Sequence, residues 1–107
     1  MADNNNILDK LNGLEARYEE VSTLITDPDV IVDQQRYVKL TKEYKDLGDI
    51  MDLRKRYIAC LNAIKEAKDV MINESDADMK EMAREELQEN EALQPKLEED
   101  IKIALVP

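Results

Sequence analysis

The sequence is short of the residues that most catalytic and metal-binding sites use. It has 107 residues, with no histidine, tryptophan or phenylalanine, one cysteine and two glycines. Without histidine, neither a serine or cysteine paired with an imidazole base nor a His-based zinc site can form. Gly13 and Gly48 lie too far apart in sequence to build a glycine-rich phosphate loop. The sequence therefore predicts no enzyme, no cofactor and no metal site.

The single cysteine, Cys60, has no second cysteine with which to form an internal disulfide or a metal site. It stands next to Leu61, an apolar position of the helical pattern described below, which favours a buried structural thiol. Arg56, one helical turn earlier, leaves a redox role open as the lesser alternative. A reducing, cytoplasmic setting is the simplest interpretation.

The charge balance and the lack of long apolar runs narrow the range of partners. The net charge is −10, and nucleic acid binds mainly through neutralisation of its phosphates, so neither free nucleic acid nor an anionic membrane is an expected partner. No apolar run approaches the ~20 residues of a membrane span. The start, MADNNNILDKL, lacks the basic and apolar regions of a secretory signal.

Long helices are what the sequence does favour. Charged residues make up 37% of a chain with little glycine or proline, a composition typical of helical bundles and coiled coils. Apolar residues recur at alternating spacings of three and four, which predicts helices at about 6–26, 33–72 and 76–104. The predicted fold class is all-α: an elongated, antiparallel, coiled-coil-like arrangement of three helices with a long central helix.

Capping and helix-breaking residues set the predicted boundaries. One of the asparagines at 4–6 is expected to cap the first helix, Pro28 to follow its end, and residues 30–32 to be extended. Asp33 is the predicted cap of the second helix. Ser75 with Asp78 resembles a capping box for the third.

Two residues inside the predicted helices are expected to disturb them. Gly48 lies where the apolar pattern of the central helix shifts phase by one step, so a bend is expected there. Pro95 lies inside the third helix and deletes one backbone hydrogen bond, which predicts a kink or a division into two helices.

The charges are unevenly spread along the chain. Residues 1–29 carry seven acids and two bases, residues 30–72 carry seven acids and nine bases, and residues 73–107 carry eleven acids and four bases. The central helix is therefore predicted to be the electrostatic partner of both neighbours, although each surface pair contributes only ~0–1 kcal/mol.

Three groups of side chains are candidate sites. Glutamates recur along one predicted face at 81, 85 and 89, with two more at 98 and 99, and a solvated surface is favoured over a metal or proton-transfer site. The basic cluster 54–56 is expected to be solvated or paired across helices, with phosphate binding as the alternative. Met79 and Met82 are predicted to be core, with an exposed docking strip as the alternative.

Several motifs resemble the first domain of the bacterial class-one peptide chain release factors, those that read UAA and UAG. The block MKEMAREEL at 79–87 is similar to M-x-E-M-A-x-x-E-L of that family, and residues 8–47 follow its opening pattern of short motifs. The final Leu-Val-Pro is similar to the family's Leu-Leu-Pro. The matching positions are Arg17, Glu19, Glu20, Asp33, Arg36, Tyr37, Glu43, Tyr44, Met79, Glu81, Met82, Ala83, Glu86 and Leu87.

The resemblance implies that residues 1–107 are the N-terminal helical domain of a longer release factor. The family's Gly-Gly-Gln loop, which hydrolyses peptidyl-tRNA, and its codon-reading Pro-x-Thr tripeptide are both missing. What remains is a non-catalytic docking role. In the family this domain reaches the stalk base of the ribosomal GTPase-associated centre and is implicated in the response to the recycling GTPase, the class-two release factor. As a fragment, it is expected to be a monomer or to self-associate weakly through residues 79–105.

A free-standing spectrin-like or coiled-coil scaffold is the alternative from another class. The length suits one three-helix repeat, but such repeats usually bury tryptophan, and this chain has none.

Overall fold

The computed structural model describes residues 2–107 and, from residue 6 onward, their side chains. All regular structure in this part of the chain is helical, which confirms the all-α prediction. None of its helices is long and apolar enough to cross a membrane. The helices are α1 (Ala2–Leu24), α2 (Pro28–Ile31), α3 (Gln34–Asn73) and α4 (Ala77–Ala104).

The first connection differs from the prediction. Helix α1 begins at Ala2, so the asparagines at 4–6 lie inside the helix and not at its cap. The expected extended segment is instead the short helix α2. The Asp27 carboxylate caps it by accepting a hydrogen bond from the Asp29 N–H at 2.9 Å. Pro28 occupies the first turn, where its missing N–H costs no hydrogen bond. The same Asp-Pro pair that ends α1 therefore starts α2.

Of the predicted caps of α3 and α4, the first is confirmed and the second is wrong. The Asp33 carboxylate accepts a hydrogen bond from the Arg36 N–H at 3.2 Å, as expected of the cap of α3. The predicted cap Ser75 is wrong by one residue. The Asp76 carboxylate caps α4, since it accepts from the N–H groups of Asp78 at 2.8 Å and Met79 at 3.3 Å.

Neither the proline nor the glycine interrupts its helix. Helix α4 continues through Pro95, so the predicted division into two helices is wrong. Leu97 and Ile101, both fully buried, hold the segment that follows, and their packing offsets the one lost hydrogen bond. Helix α3 continues through Gly48, where a Cβ would lie 3.7 Å from the Tyr18 ring. That distance is an ordinary van der Waals contact, so the Tyr18 ring would not exclude a Cβ at this position.

The described chain divides into two compact units, Met1–Arg54 and Lys55–Pro107. In unit one, α1 packs antiparallel to α3: Arg17 contacts Glu43, and Glu15, earlier on α1, contacts Arg54, later on α3. Its core consists of aliphatic residues from all three helices, and Val30 explains why α2 forms, because the short helix buries that side chain. The buried members are Val21, Val30, Leu40 and Leu47, with Leu14, Tyr18, Leu24, Ile25, Tyr37 and Tyr44 packed against them.

In unit two, α4 packs antiparallel to the second half of α3. Tyr57 contacts Glu98 near the end of α4, whereas Cys60, further along α3, contacts Asn90. The unit contains a single buried aromatic ring, and the remaining buried positions are small or aliphatic. Its buried side chains are Tyr57, Cys60, Ala67, Ala83, Leu97 and Ile101.

The core assignment of α3 is testable at two neighbouring positions. Leu40 is 7% exposed and Val38 is 63% exposed. We expect Leu40→Ala to lower the free energy of unfolding by ~2–5 kcal/mol, as buried leucine truncations do. The control Val38→Ala should change it by less than ~0.5 kcal/mol. Urea unfolding followed by circular dichroism measures both, and equal effects would show that the buried face of α3 is misassigned.

Candidate docking surfaces

A bidentate ion pair joins α1 to α3 in unit one. The Arg17 guanidinium donates to the Glu43 carboxylate through Nε at 2.6 Å and Nη2 at 2.7 Å, and its Nη1 donates to Glu20. The hydrogen bonds with Arg17 lower the pKa of Glu43, and those with Glu43 raise the pKa of Arg17 further above its ordinary value. Two parallel hydrogen bonds fix direction as well as distance, which makes this pair specific in geometry.

The next residue on each helix forms a second contact beside the ion pair. The rings of Tyr18 and Tyr44 stack with centroids 5.1 Å apart and planes 9° from parallel, and their hydroxyl oxygens lie 3.4 Å apart. The hydrogen bond to Tyr44 is the main cause of a raised pKa for Tyr18. We call Arg17, Tyr18, Glu43 and Tyr44 the α1–α3 clamp.

The predicted charge complementarity holds for one interhelical pair in unit one and fails for the other. Arg54 pairs with Glu15 at 3.1 Å and donates to the Asn12 side chain at 3.0 Å, so this member of the 54–56 cluster is paired across helices as expected. In the clamp, however, the base belongs to α1 and the acid to α3. Segment net charge did not predict this pair, because a bidentate contact depends on the two residues that face each other.

A half-buried group of polar contacts lies between the helices of unit two, around the buried ring of Tyr57. The Tyr57 hydroxyl donates to Glu98 at 2.7 Å, and the Gln94 amide donates to the same carboxylate oxygen at 3.1 Å. Burial, followed by the hydrogen bond to Glu98, raises the pKa of Tyr57. The Cys60 thiol donates to the Asn90 carbonyl at 3.3 Å, and burial raises the pKa of Cys60. The thiol is 2% exposed, so the predicted burial of Cys60 is confirmed, and a structural role stays the favoured interpretation.

The acidic face of α4 forms no enclosed site. Glu81, Glu85 and Glu89 are exposed, and Arg84 pairs with Glu81 at 2.5 Å. Among the residues that the structure describes, no group of carboxylates and thiols is arranged to hold a metal ion. These side chains can therefore act on a partner only by their charge.

The prediction that Met79 and Met82 belong to the core is wrong, since they are 50% and 69% exposed. The buried face of α4 includes Ala83 and continues through half-buried Asn90 and Gln94. The buried and half-buried residues of α4 form a seam that contains small and polar side chains, so apolar periodicity alone did not identify it. The buried and half-buried positions that define it are spaced by four and three: 83, 87, 90, 94, 97, 101 and 104.

Exposed large apolar side chains lie near both helix connections and also along the C-terminal part of the chain, where they are Leu93, Ile103 and Val106. Near the first they are Ile31, Val32 and Val38. Near the second they are Ile72, which is 78% exposed, with Met79 and Met82. We call the last three residues the unit-two apolar surface. An open depression of about 350 Å³ lies nearby, lined by Met71, Ala77, Lys80, Glu81 and Arg84.

The positions that carried the family resemblance do not converge on one site. Six have structural roles within unit one, which are the clamp and its ion pairs, the core and a cap: Arg17, Glu20, Glu43, Tyr44, Tyr37 and Asp33. In the 79–87 block, Ala83 is buried while Met79 and Met82 face solvent. The matching residues thus either support the helical scaffold or lie on its surface. Among the residues that the structure describes, no catalytic pocket forms around them.

Comparison with known proteins identifies the family of the chain. The PCRF domain family matches residues 14–107, and the chain belongs to this family. Relatives named peptide chain release factor 1 are 65% identical over 107 residues in Bacteroides fragilis and 64% identical over 107 residues in Bacteroides thetaiotaomicron. Each alignment covers 100% of this chain and 29% of the relative.

A more distant relative of the same name, in Flavobacterium psychrophilum, is 44% identical over 101 residues, which is 94% of this chain and 28% of that protein. The chain therefore spans less than a third of the length of the relatives it matches. No solved structure matches it.

The clamp predicts a specific acid dependence of stability. Because the pKa of Glu43 is lowered in the folded chain, the ionised carboxylate contributes stability above the ordinary glutamate pKa of about 4.3, and this contribution is lost as the pH falls below it. We expect Glu43→Gln to lower stability at pH 7 and to reduce the loss between pH 5 and pH 3. Urea midpoints across that range measure the effect. Asp46→Asn, which removes an exposed carboxylate of α3, is the control; identical pH profiles for the two variants would contradict the prediction.

The raised pKa of Tyr57 predicts that stability falls as the pH rises, opposite to the acid dependence expected for the clamp. The raised pKa of Tyr57 means that the folded chain favours the protonated phenol, so stability is complete below the ordinary tyrosine pKa of about 10 and falls as the pH rises above it. We expect Tyr57→Phe to be less stable than the parent chain at pH 7 and to lose less stability between pH 9 and pH 11. Half-buried Tyr37, changed to Phe, is the control, and Cys60 is retained throughout. An unchanged alkaline slope in Tyr57→Phe would contradict the assignment.

Proposed function

We propose that this chain is a non-catalytic docking domain of a peptide chain release factor and acts in translation termination in the cytoplasm. The observation that carries the proposal is the similarity of the entire chain to peptide chain release factor 1 of two Bacteroides species at 64–65% identity. The sequence has no histidine and no Gly-Gly-Gln loop. The longer factor would promote peptidyl-tRNA hydrolysis with residues outside this chain. The family match favours this role over a free-standing scaffold.

The proposed partners are the ribosomal stalk base and, through it, the recycling GTPase of class two. Both follow from the family resemblance, and the exposed apolar side chains at the helix connections support a docking role. An exposed patch of Ile and Met side chains is costly in water unless a partner covers it. Methionine is also common at binding surfaces, because its flexible thioether adapts to a partner's shape.

We assign the stalk-base contact to the unit-two apolar surface. Carboxylates flank it, since Glu74, Asp76 and Asp78 precede Met79 and residues 73–107 carry eleven acids and four bases. An apolar centre with an acidic rim is complementary to a basic protein surface. The rim would speed association, and the apolar centre would provide most of the affinity.

The test compares factor turnover by a full-length release factor that contains this domain, with and without the recycling GTPase. We expect Ile72→Gln combined with Met82→Gln to reduce the acceleration by the GTPase about tenfold, equivalent to ~1.4 kcal/mol of lost docking. The control Ile31→Gln with Val32→Gln places the same side chains at the other connection and should leave the acceleration intact.

Deleting residues 1–107 should remove the acceleration while leaving a core that still hydrolyses peptidyl-tRNA. The isolated chain should release no peptide from ribosomes stalled at a stop codon. A truncated factor that responds to the GTPase as well as the intact one would contradict the docking role. Equal losses in the two double variants would contradict the choice of surface.

A further inference from the structure

The methionine side chains of this chain differ in their exposure to solvent. Met79 is 50% exposed and Met82 is 69% exposed. Met51 and Met71 are half-buried in α3, and Met1, the fifth methionine of the sequence, lies outside the described residues. Both exposed methionines belong to the unit-two apolar surface. An oxidant dissolved in water therefore reaches these two side chains more readily than those of Met51 and Met71.

Exposure matters because the oxidation of a thioether is a direct reaction with a dissolved oxidant. The sulfur lone pair attacks an oxygen atom of a peroxide, which must therefore approach the sulfur from solvent. Hydrogen peroxide is uncharged, so the excess of acids in residues 73–107 does not repel it. The product, methionine sulfoxide, places a polar S–O bond on a side chain that was apolar, and methionine sulfoxide reductases can reverse the change.

The single thiol is a poor competitor for the same oxidant. Thiols react with peroxides as the ionised thiolate. Cys60 is 2% exposed, its thiol donates a hydrogen bond to the Asn90 carbonyl at 3.3 Å, and burial raises its pKa. The thiolate is therefore both scarce and inaccessible in the folded chain. Among the sulfur-bearing side chains that the structure describes, those of Met79 and Met82 are the most accessible to a peroxide.

The two methionines also lie where a change of polarity affects a single surface. Residues three apart on a helix are surface neighbours, with Cβ atoms ~5–6 Å apart. Together with Ile72, Met79 and Met82 make up the unit-two apolar surface, so oxidation of both would leave Ile72 as its only apolar member. The buried core of unit two includes neither methionine. Oxidation should therefore change the surface while the fold is retained.

We propose that Met79 and Met82 form a modification site at which peroxides produce methionine sulfoxide and convert the unit-two apolar surface into a polar one. In each reaction an S–O bond forms and the O–O bond of hydrogen peroxide breaks. The sulfur is oxidised by two electrons, and the peroxide is reduced. The proton of the transferred hydroxyl moves to the departing hydroxide, which leaves as water. Reduction by thiols through a methionine sulfoxide reductase restores the thioether and yields a disulfide and water.

The consequence for docking rests on the proposed function of the same surface. An apolar partner that covers Met79 and Met82 would also cover the sulfoxide oxygens after oxidation. A buried polar group without a hydrogen-bond partner opposes binding, because it loses its contacts with water and gains none in return. The modified domain should therefore dock weakly until the sulfoxides are reduced, which makes the exposed methionines a reversible control of the contact.

The first experiment tests the modification itself and needs neither ribosome nor GTPase. The 107-residue chain is treated briefly with hydrogen peroxide, and the sulfoxide at each methionine is quantified by peptide mass spectrometry. We expect Met79 and Met82 to be oxidised at least about fivefold faster than Met51 and Met71, because exposure limits the reaction. In concentrated urea the four rates should converge. Equal rates in the folded chain would overturn the proposed site.

The second experiment tests the consequence in a full-length release factor that contains this domain. The factor alone is oxidised, the peroxide is removed, and factor turnover is then measured with and without the recycling GTPase. We expect oxidation to reduce the acceleration at least about tenfold, and a methionine sulfoxide reductase to restore it. The variant M79L/M82L keeps an apolar surface without sulfur and should retain its acceleration after the same treatment. The matched control M51L/M71L should remain as sensitive as the parent.

Two results of the second experiment would overturn the switch. One is an equal loss of acceleration in oxidised M79L/M82L, which would assign the sensitivity to other side chains. The other is full acceleration by a factor that carries both sulfoxides. The unoxidised variant I72Q/M82Q separates this second result from a failure of the docking assignment. If that variant loses the acceleration, the switch alone is wrong; if it does not, the docking assignment is wrong as well.

Discussion

The bidentate pair between Arg17 and Glu43 is the interaction on which the arrangement of unit one most depends. The chain has no phenylalanine or tryptophan, so the packed interior is a thin seam of Val, Leu and Ile. Such repeating aliphatic seams tolerate a shift of one helix along another, because similar residues recur along the helix. A planar guanidinium facing a carboxylate cannot be satisfied in a shifted register. The Tyr18–Tyr44 stack, one residue further along each helix, specifies the same alignment.

This alignment determines what the rest of unit one presents to a partner. With α1 held in place, Val30 of α2 joins the same buried cluster, and the first connection folds as a capped helix instead of an extended strand. Unit two obtains specificity differently, through the buried Tyr57 hydroxyl and its contact with Glu98. Each unit thus combines an apolar seam with one polar arrangement that selects its register.

Sequence patterns predicted the fold class and three long helices because apolar spacing and the scarcity of glycine and proline are properties of whole segments. They failed where one residue decides the outcome. Asp27 starts a helix at a proline that was expected only to end one, and Asp76 caps α4 in place of Ser75. The seam of α4 passes through Asn90 and Gln94, so the more apolar Met79 and Met82 were misplaced in the core. Arg17 and Glu43 were identified only by resemblance, since contacts 26 residues apart leave no local signal.

A double-mutant cycle on the clamp tests the central claim most directly. Arg17→Gln, Glu43→Gln and the double variant are compared by urea unfolding at pH 7, beside an equivalent cycle on the exposed pair Lys42–Asp46 of α3. If the clamp fixes the register, the coupling between Arg17 and Glu43 should clearly exceed that of the exposed pair, and the two single variants should each lose nearly as much as the double variant. Additive losses, or coupling no larger than that between Lys42 and Asp46, would show that the aliphatic seam aligns the helices without the clamp.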